Sequence, residues 1–202
     1  MGSIDPQESI VKDLAIIILA AGSSSRLGQS KQLFTWQGKS LLEGAIETAS
    51  SVGIRNICVV LGANEKIHRD KIKNFSIDII HNSQWQLGIG NSLKFGVHHI
   101  QKNNVVGAIV MVCDQPFLSS AHLKKMVALF DDTQKMIIAS AYSQTLGVPA
   151  LFHHTWFMDL LSIADSEGAK KVIQQNPDHI ISVEFPEGAI DIDSPDDITQ
   201  LL

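Results

Sequence analysis

Apolar positions along the chain gather into short blocks separated by longer stretches with helical spacing. Short blocks occur at 14–20 (LAIIILA), 56–61 (NICVVL), 77–80 (IDII), 107–112 (GAIVMV) and 136–141 (MIIASA), with a later one, HIISVE, at 179–184. Blocks of this length, rich in Ile and Val, predict strands. Those at 14–20 and 107–112 do not alternate with polar residues, the pattern of strands covered on both faces. Between the blocks, apolar residues recur every three or four positions and predict helices over 40–52, 64–73, 91–102, 119–130, 155–163 and 167–175. This alternation implies an α/β fold, a three-layer, doubly wound, mostly parallel sheet with right-handed crossovers. Such sheets bind ligands outside the carboxyl ends of their strands, where the strand order reverses. The polar runs after the first and fourth strands, and the loop after 77–80, are therefore expected to converge on one edge.

Composition narrows the picture only a little. With 202 residues, 45% apolar and 18% charged, the chain suits one packed domain, expected over 13–202 after a disordered tail at 1–12. A formal net charge of −5 argues against a general nucleic-acid binder, so any bound anion needs a local site. No apolar run approaches the roughly 20 residues that span a bilayer, and no secretory signal opens the chain, which predicts a cytoplasmic protein without membrane association. The two cysteines, Cys58 and Cys113, lie far apart inside apolar runs and are expected to be buried, reduced thiols.

The most informative stretch is LAAGSSSRLGQSKQL, 19–33. It leaves the first strand through a glycine and serine turn and then presents Arg26 and Lys31. Gly22 permits a tight exit, successive amides form an anion-binding hollow, and the serines add hydroxyl donors. Arginine can fork onto a phosphate, while lysine supplies a point charge. The run matches neither the P-loop nor the dinucleotide fingerprint. On residue chemistry alone, a polyphosphate site and a solvated loop both remain open.

The same stretch resembles the LAAGxSxRxGxxK signature of the MobA/MocA-like nucleotidyltransferases, of the nucleotide-diphospho-sugar transferase fold type. The likeness extends along nearly the whole chain: HNSQWQLGIGNSLKFGV, CDQPFLS, GVPALF and IDIDSPDD match further motifs in the same order. Among members, the molybdenum cofactor cytidylyltransferases are the most similar group. The resemblance implies a nucleoside triphosphate held along 19–31, with Leu19, Ala20, Ala21 and Gly22 near base and sugar. It places Ser23, Ser24 and Ser25 near the phosphates, and gives Arg26 and Lys31 the charge that grows as pyrophosphate leaves. Gly90 and Ser92 would border the nucleotide, the glycines of 88–90 letting the chain approach it closely. CTP is the expected donor because relatives that transfer GMP more often carry LAGG than LAAG.

Asp114 follows the fourth strand directly, in VMVCDQP. It can cap the helix near 119, or it can ligate a hard cation, and Mg²⁺ takes one or two carboxylates plus phosphate oxygens. The resemblance makes Asp114 catalytic and a Mg²⁺ ligand. A second ligand is expected from AIDIDSPDDI, where alternation puts Asp191 and Asp193 on one side of an extended segment. Asp193 or Ser194 can equally cap a helix starting at Pro195.

For the acceptor side, Asn91 reads as a helix N-cap, GVPALF as a loop restricted by Pro149, and Phe117, Trp85 and Phe152 as either core or walls for a flat ring. Two departures stand out. Cys113 replaces the glycine usual before DQP, and ADSEGAKKV stands where relatives carry a GDxGAR-like run, with Ser166 and Lys170 at the aspartate and arginine positions. The pairs His98–His99 and His153–His154 lack a recognised metal-ligand spacing and are expected to be solvated or at the edge of the core. The resulting expectation is Mg²⁺-dependent transfer of CMP to a molybdopterin-type phosphate acceptor. Transfer to another small phosphorylated compound, and non-catalytic delivery of the cofactor to an apo-molybdoenzyme, are the alternatives.

Overall fold

The computed structural model describes residues 11, 13–23 and 30–190. The tail expected at 1–12 therefore falls almost entirely outside the described residues, although Val11 already packs against the core. Seven strands form one sheet: β1 (Leu14–Ala20), β4 (Asn56–Leu61), β5 (Asp78–His81), β6 (Gly107–Val112), β7 (Ile137–Tyr142), β8 (Thr145–His153) and β9 (Ile180–Glu184). Their spatial order is β5-β4-β1-β6-β8-β7-β9. A small antiparallel pair, β2 (Thr35–Trp36) and β3 (Lys39–Ser40), stands apart. The helices are α1 (Leu41–Ser50), α2 (Glu65–Ile72), α3 (Ile89–Ile100), α4 (Ser120–Ala128), α5 (Phe157–Ser162) and α6 (Lys170–Gln175).

Three layers follow from the side chains of β1. Leu14, Ile16 and Ile18 point to one face, where they meet Leu42 and Ile46 of α1, Ile72 of α2 and Met126 of α4. Ala15, Ile17 and Leu19 point to the other, against Leu93 and Val97 of α3, Leu160 of α5 and Val172 of α6. A strand buried on both faces has no need of polar alternation, which is why LAIIILA reads as continuous. The start of α1 is a capping box: the Ser40 hydroxyl accepts from the Glu43 N–H at 3.3 Å, and the Glu43 carboxylate accepts from the Ser40 N–H at 3.0 Å.

One prediction is overturned. The stretch containing GVPALF is a strand, β8, and not a loop. It runs antiparallel between β6 and β7, with Gly107 opposite His153 and Val110 opposite Ala150. Its glycine and proline look like turn chemistry, yet Pro149 lies where the β7–β8 register shifts, so its missing N–H breaks no regular ladder. The Pro149 carbonyl instead accepts a hydrogen bond from the Ser140 hydroxyl at 2.6 Å.

Both thiols are buried, and desolvation raises them, Cys58 to about 12 and Cys113 further, each helped by a nearby aspartate. Neither cysteine is therefore expected to react with a thiol reagent in the folded protein near pH 8. Both should titrate after unfolding in denaturant, and a native-state count above zero would contradict this burial.

Candidate active site

The parallel strands β4, β1 and β6 end side by side, and the order reverses at β1, since the chain goes from β1 to β4 and β5 before returning to β6. A cleft of about 400 Å³ opens over these carboxyl ends, of the size that holds a small ligand. Leu19, Ala20, Ala21, Gly22 and Ser23 line it, together with Lys31, Ser92 and Asp114. Two charged groups far apart in sequence meet directly: Lys31 Nζ donates to Asp114 Oδ2 at 2.7 Å. Ser24, Ser25 and Arg26, and the acidic pair Asp191 and Asp193, lie outside the described residues.

Asp114 is not a helix cap. That role belongs to Ser119, whose hydroxyl accepts from the His122 N–H at 3.3 Å. Asp114 is held instead by the turn that follows it. The Gln115 amide donates to the Val148 and Gly188 carbonyls, each at 3.2 Å, and so fixes the turn against β8. With Oδ2 on Lys31, the second oxygen, Oδ1, is buried and has no hydrogen-bond partner. A buried carboxylate oxygen in this state suits a hard cation or a phosphate-bound water.

Asn91 is not the N-cap of α3. The helix begins two residues earlier, at Ile89, after Gly88 with φ +130°. Its first N–H groups are satisfied from another segment: Gly90 and Asn91 both donate to the Asp165 carbonyl, at 2.8 and 3.2 Å. Lys94 reaches the Asp165 carboxylate at 2.8 Å. The close approach expected of these glycines is therefore made to the 164–167 turn. A Cβ on Gly90 would lie 2.4 Å from the Ala164 and Glu167 carbonyl oxygens, and one on Gly88 would lie 2.4 Å from the Asp165 oxygen. Gly88 lines the cleft and Gly90 does not.

Ser92 does face the cleft. Its hydroxyl oxygen accepts from the buried Asn82 amide at 3.0 Å, which leaves the hydroxyl proton to rotate toward a ligand. Trp85 is a cleft wall, Phe152 is fully buried core, and Phe117 meets Trp36 edge-on.

Three residues that the sequence did not single out organise the first strand's exit. Gln32, 3% exposed, donates to the carbonyls of Ala20 at 3.2 Å and Gly22 at 2.8 Å, which fixes the chain as it leaves β1. Its own oxygen accepts from the Ser30 hydroxyl at 2.8 Å. With that proton committed, Nε2 of His68 donates to the Ser30 oxygen at 2.5 Å, while its Nδ1 is buried without a partner. A relay thus runs from α2 to the turn. No motif marks it, because its members are joined only by folding.

Burial lowers the His68 imidazole below its ordinary 6.5, and His122 likewise. For a depressed histidine the unfolded chain binds the proton first, so this stability is complete above that ordinary value and is lost as pH falls below it. Melting temperature is expected to fall between about pH 7 and about pH 5, and His68→Gln should lose less over that window. An equal acid loss in wild type and variant would rule out the contribution.

A lysine–carboxylate pair beside the strand ends and a cleft at the order reversal fit an α/β nucleotidyltransferase. The chain belongs to the MobA-like NTP transferase domain family, whose model matches residues 16–180. It is 26% identical over 181 residues to the molybdenum cofactor cytidylyltransferase of Escherichia coli K12, covering 90% of this chain and 91% of that one. It is 30% identical over 173 residues to the nicotine blue oxidoreductase of Paenarthrobacter nicotinovorans, covering 80% and 81%. Among solved structures, Rv0371c from Mycobacterium tuberculosis H37Rv superposes with a TM-score of 0.80 at 23% identity over 95% of this chain and 98% of that one. A manganese complex of Rv0371c superposes at 0.75 and 22% identity, covering 95% and 98%.

Proposed function

We propose that the protein transfers CMP from CTP to a small phosphorylated acceptor of the molybdopterin type and releases pyrophosphate, with Mg²⁺ as its metal. The observation that carries this reading is the Lys31–Asp114 pair, joined at 2.7 Å across the ends of β1 and β6 with Asp114 Oδ1 left buried and unpartnered. That oxygen fits one arm of a hard-cation site, and Asp191 or Asp193 would supply the other. Mg²⁺ bound there would offset the charge of the triphosphate.

The chain's own residues do the rest by position. Leu19 to Gly22 would meet base and sugar, Ser23 to Ser25 would donate to phosphate oxygens, and Ser92, oriented by Asn82, would add another donor. Gln32 holds the turn so that its amides need not reorganise when charge develops. An acceptor phosphate oxygen attacks the α-phosphorus in line, the α–β bridging bond breaks, and pyrophosphate departs with the bonding electrons. Arg26 and Lys31 would neutralise the leaving charge, and no protein nucleophile is needed.

The family match supports nucleotidyl transfer. The choice of CTP leans on LAAG and on the named activity of the E. coli relative. A panel of CTP, GTP, ATP and UTP with Mg²⁺ should give the largest thermal stabilisation with CTP. Pyrophosphate should then appear only when a molybdopterin acceptor is added. Stabilisation by the acceptor with no pyrophosphate from any nucleotide would replace this reading with delivery of the cofactor to an apo-molybdoenzyme.

A further inference from the structure

We infer that Asp132, His153 and His154 form a binding site for a borderline transition-metal ion of the zinc type, at the end of the sheet opposite the nucleotide cleft. Among the described residues, these three bring one ligand atom each to within 4.8 Å of one another. His153 Nε2 stands 2.9 Å from Asp132 Oδ1, and the two imidazole centroids are 4.3 Å apart. In a tetrahedral site with bonds of 2.0–2.1 Å, neighbouring donors are about 3.3 Å apart. His153 and Asp132 are already near that spacing, and only Asp132 and His154, both exposed, need to move.

The surroundings of His153 suit a ligand. Its side chain is 2% exposed, and Nδ1 lies 2.9 Å from the Thr155 hydroxyl. In the metal-free protein the Thr155 N–H, at 3.3 Å, donates to Nδ1, so the ring proton sits on Nε2 facing Asp132. Coordination through Nε2 moves that proton to Nδ1, where the Thr155 oxygen accepts it. The ring stays neutral and gains the outer hydrogen bond that usually orients a metal-bound imidazole. Two imidazoles and one carboxylate favour Zn²⁺, Ni²⁺ or Cu²⁺ over Mg²⁺, with water completing the shell.

This is not the catalytic metal position. His153 pairs with Gly107, the first residue of β6, whereas Asp114 lies two residues beyond its last. The length of β6, six residues, separates the two levels by about 20 Å. An ion here would tie the segment after α4, which carries Asp132, to the end of β8.

The test is a titration of chelator-stripped protein with Zn²⁺ in competition with a chromophoric chelator. One equivalent should bind, millimolar Mg²⁺ should not displace it, and the melting temperature should rise. Asp132→Ala and His154→Ala change exposed side chains, so they should fold, yet each should weaken zinc binding at least about tenfold. The double variant His98→Ala/His99→Ala should bind as wild type does. No zinc uptake by wild type, or equal uptake by both site variants, would reduce the cluster to a hydrogen-bonded pair beside an exposed histidine. Mg²⁺-dependent transfer is expected to be unchanged in His154→Ala, which separates this site from the cleft.

Discussion

Asp114→Ala is expected to lower pyrophosphate release by about 10³-fold while the domain still folds. The carboxylate joins the ends of β1 and β6 through Lys31 and presents the one buried oxygen in that pair without a partner. Removing it takes away both the fixed orientation of Lys31 and the oxygen proposed to meet the metal. The fold should survive because Asp114 lies beyond the last residue of β6, its side chain is 24% exposed, and the turn is held independently by Gln115. Far-ultraviolet circular dichroism and a melting curve check the fold, and a coupled pyrophosphate assay checks the rate. Activity within tenfold of wild type would remove Asp114 from the mechanism.

Gly90→Ala should cost about 2–3 kcal/mol, seen as a fall of roughly 5–10 °C in melting temperature without any nucleotide present. Its Cβ would collide with two backbone oxygens of the 164–167 turn, and neither can swing aside as the end of a long side chain would. The preference of alanine for helix offsets at most about 1 kcal/mol of this. Pushing the turn away would also break the hydrogen bonds from Gly90 and Asn91 to the Asp165 carbonyl, and so loosen the start of α3, where Ser92 sits. KM for the nucleotide should therefore rise as well. A variant with unchanged melting but raised KM would return Gly90 to direct nucleotide contact.

These two residues show why part of the site could be read in the sequence and part could not. Asp114 stands at a strand end marked by apolar continuity and a following proline, so its place at the sheet's edge is a local property. Gly90 is also visible as a glycine, but what approaches it comes from more than seventy positions away. The run ADSEGAKKV, which departs from the pattern of relatives, turns out to be that approaching segment. Its Asp165 carbonyl caps α3 in place of the expected Asn91. The relay from His68 through Ser30 to Gln32 is of the same kind, since a buried hydrogen bond between distant polar residues leaves no periodicity.

The sequence by itself determined the α/β layering, the bounds of β1, β4 and β6, and the run at 19–33 as the exit of the first strand. All of these depend on hydrophobic period and turn chemistry over a few residues. Only the tertiary structure decided that GVPALF is an inner antiparallel strand, that Lys31 meets Asp114, and that two histidines and an aspartate gather at the far edge. Those outcomes depend on which segments the folded sheet brings side by side, and strand pairing and side-chain contact across long separations are not written in any local pattern.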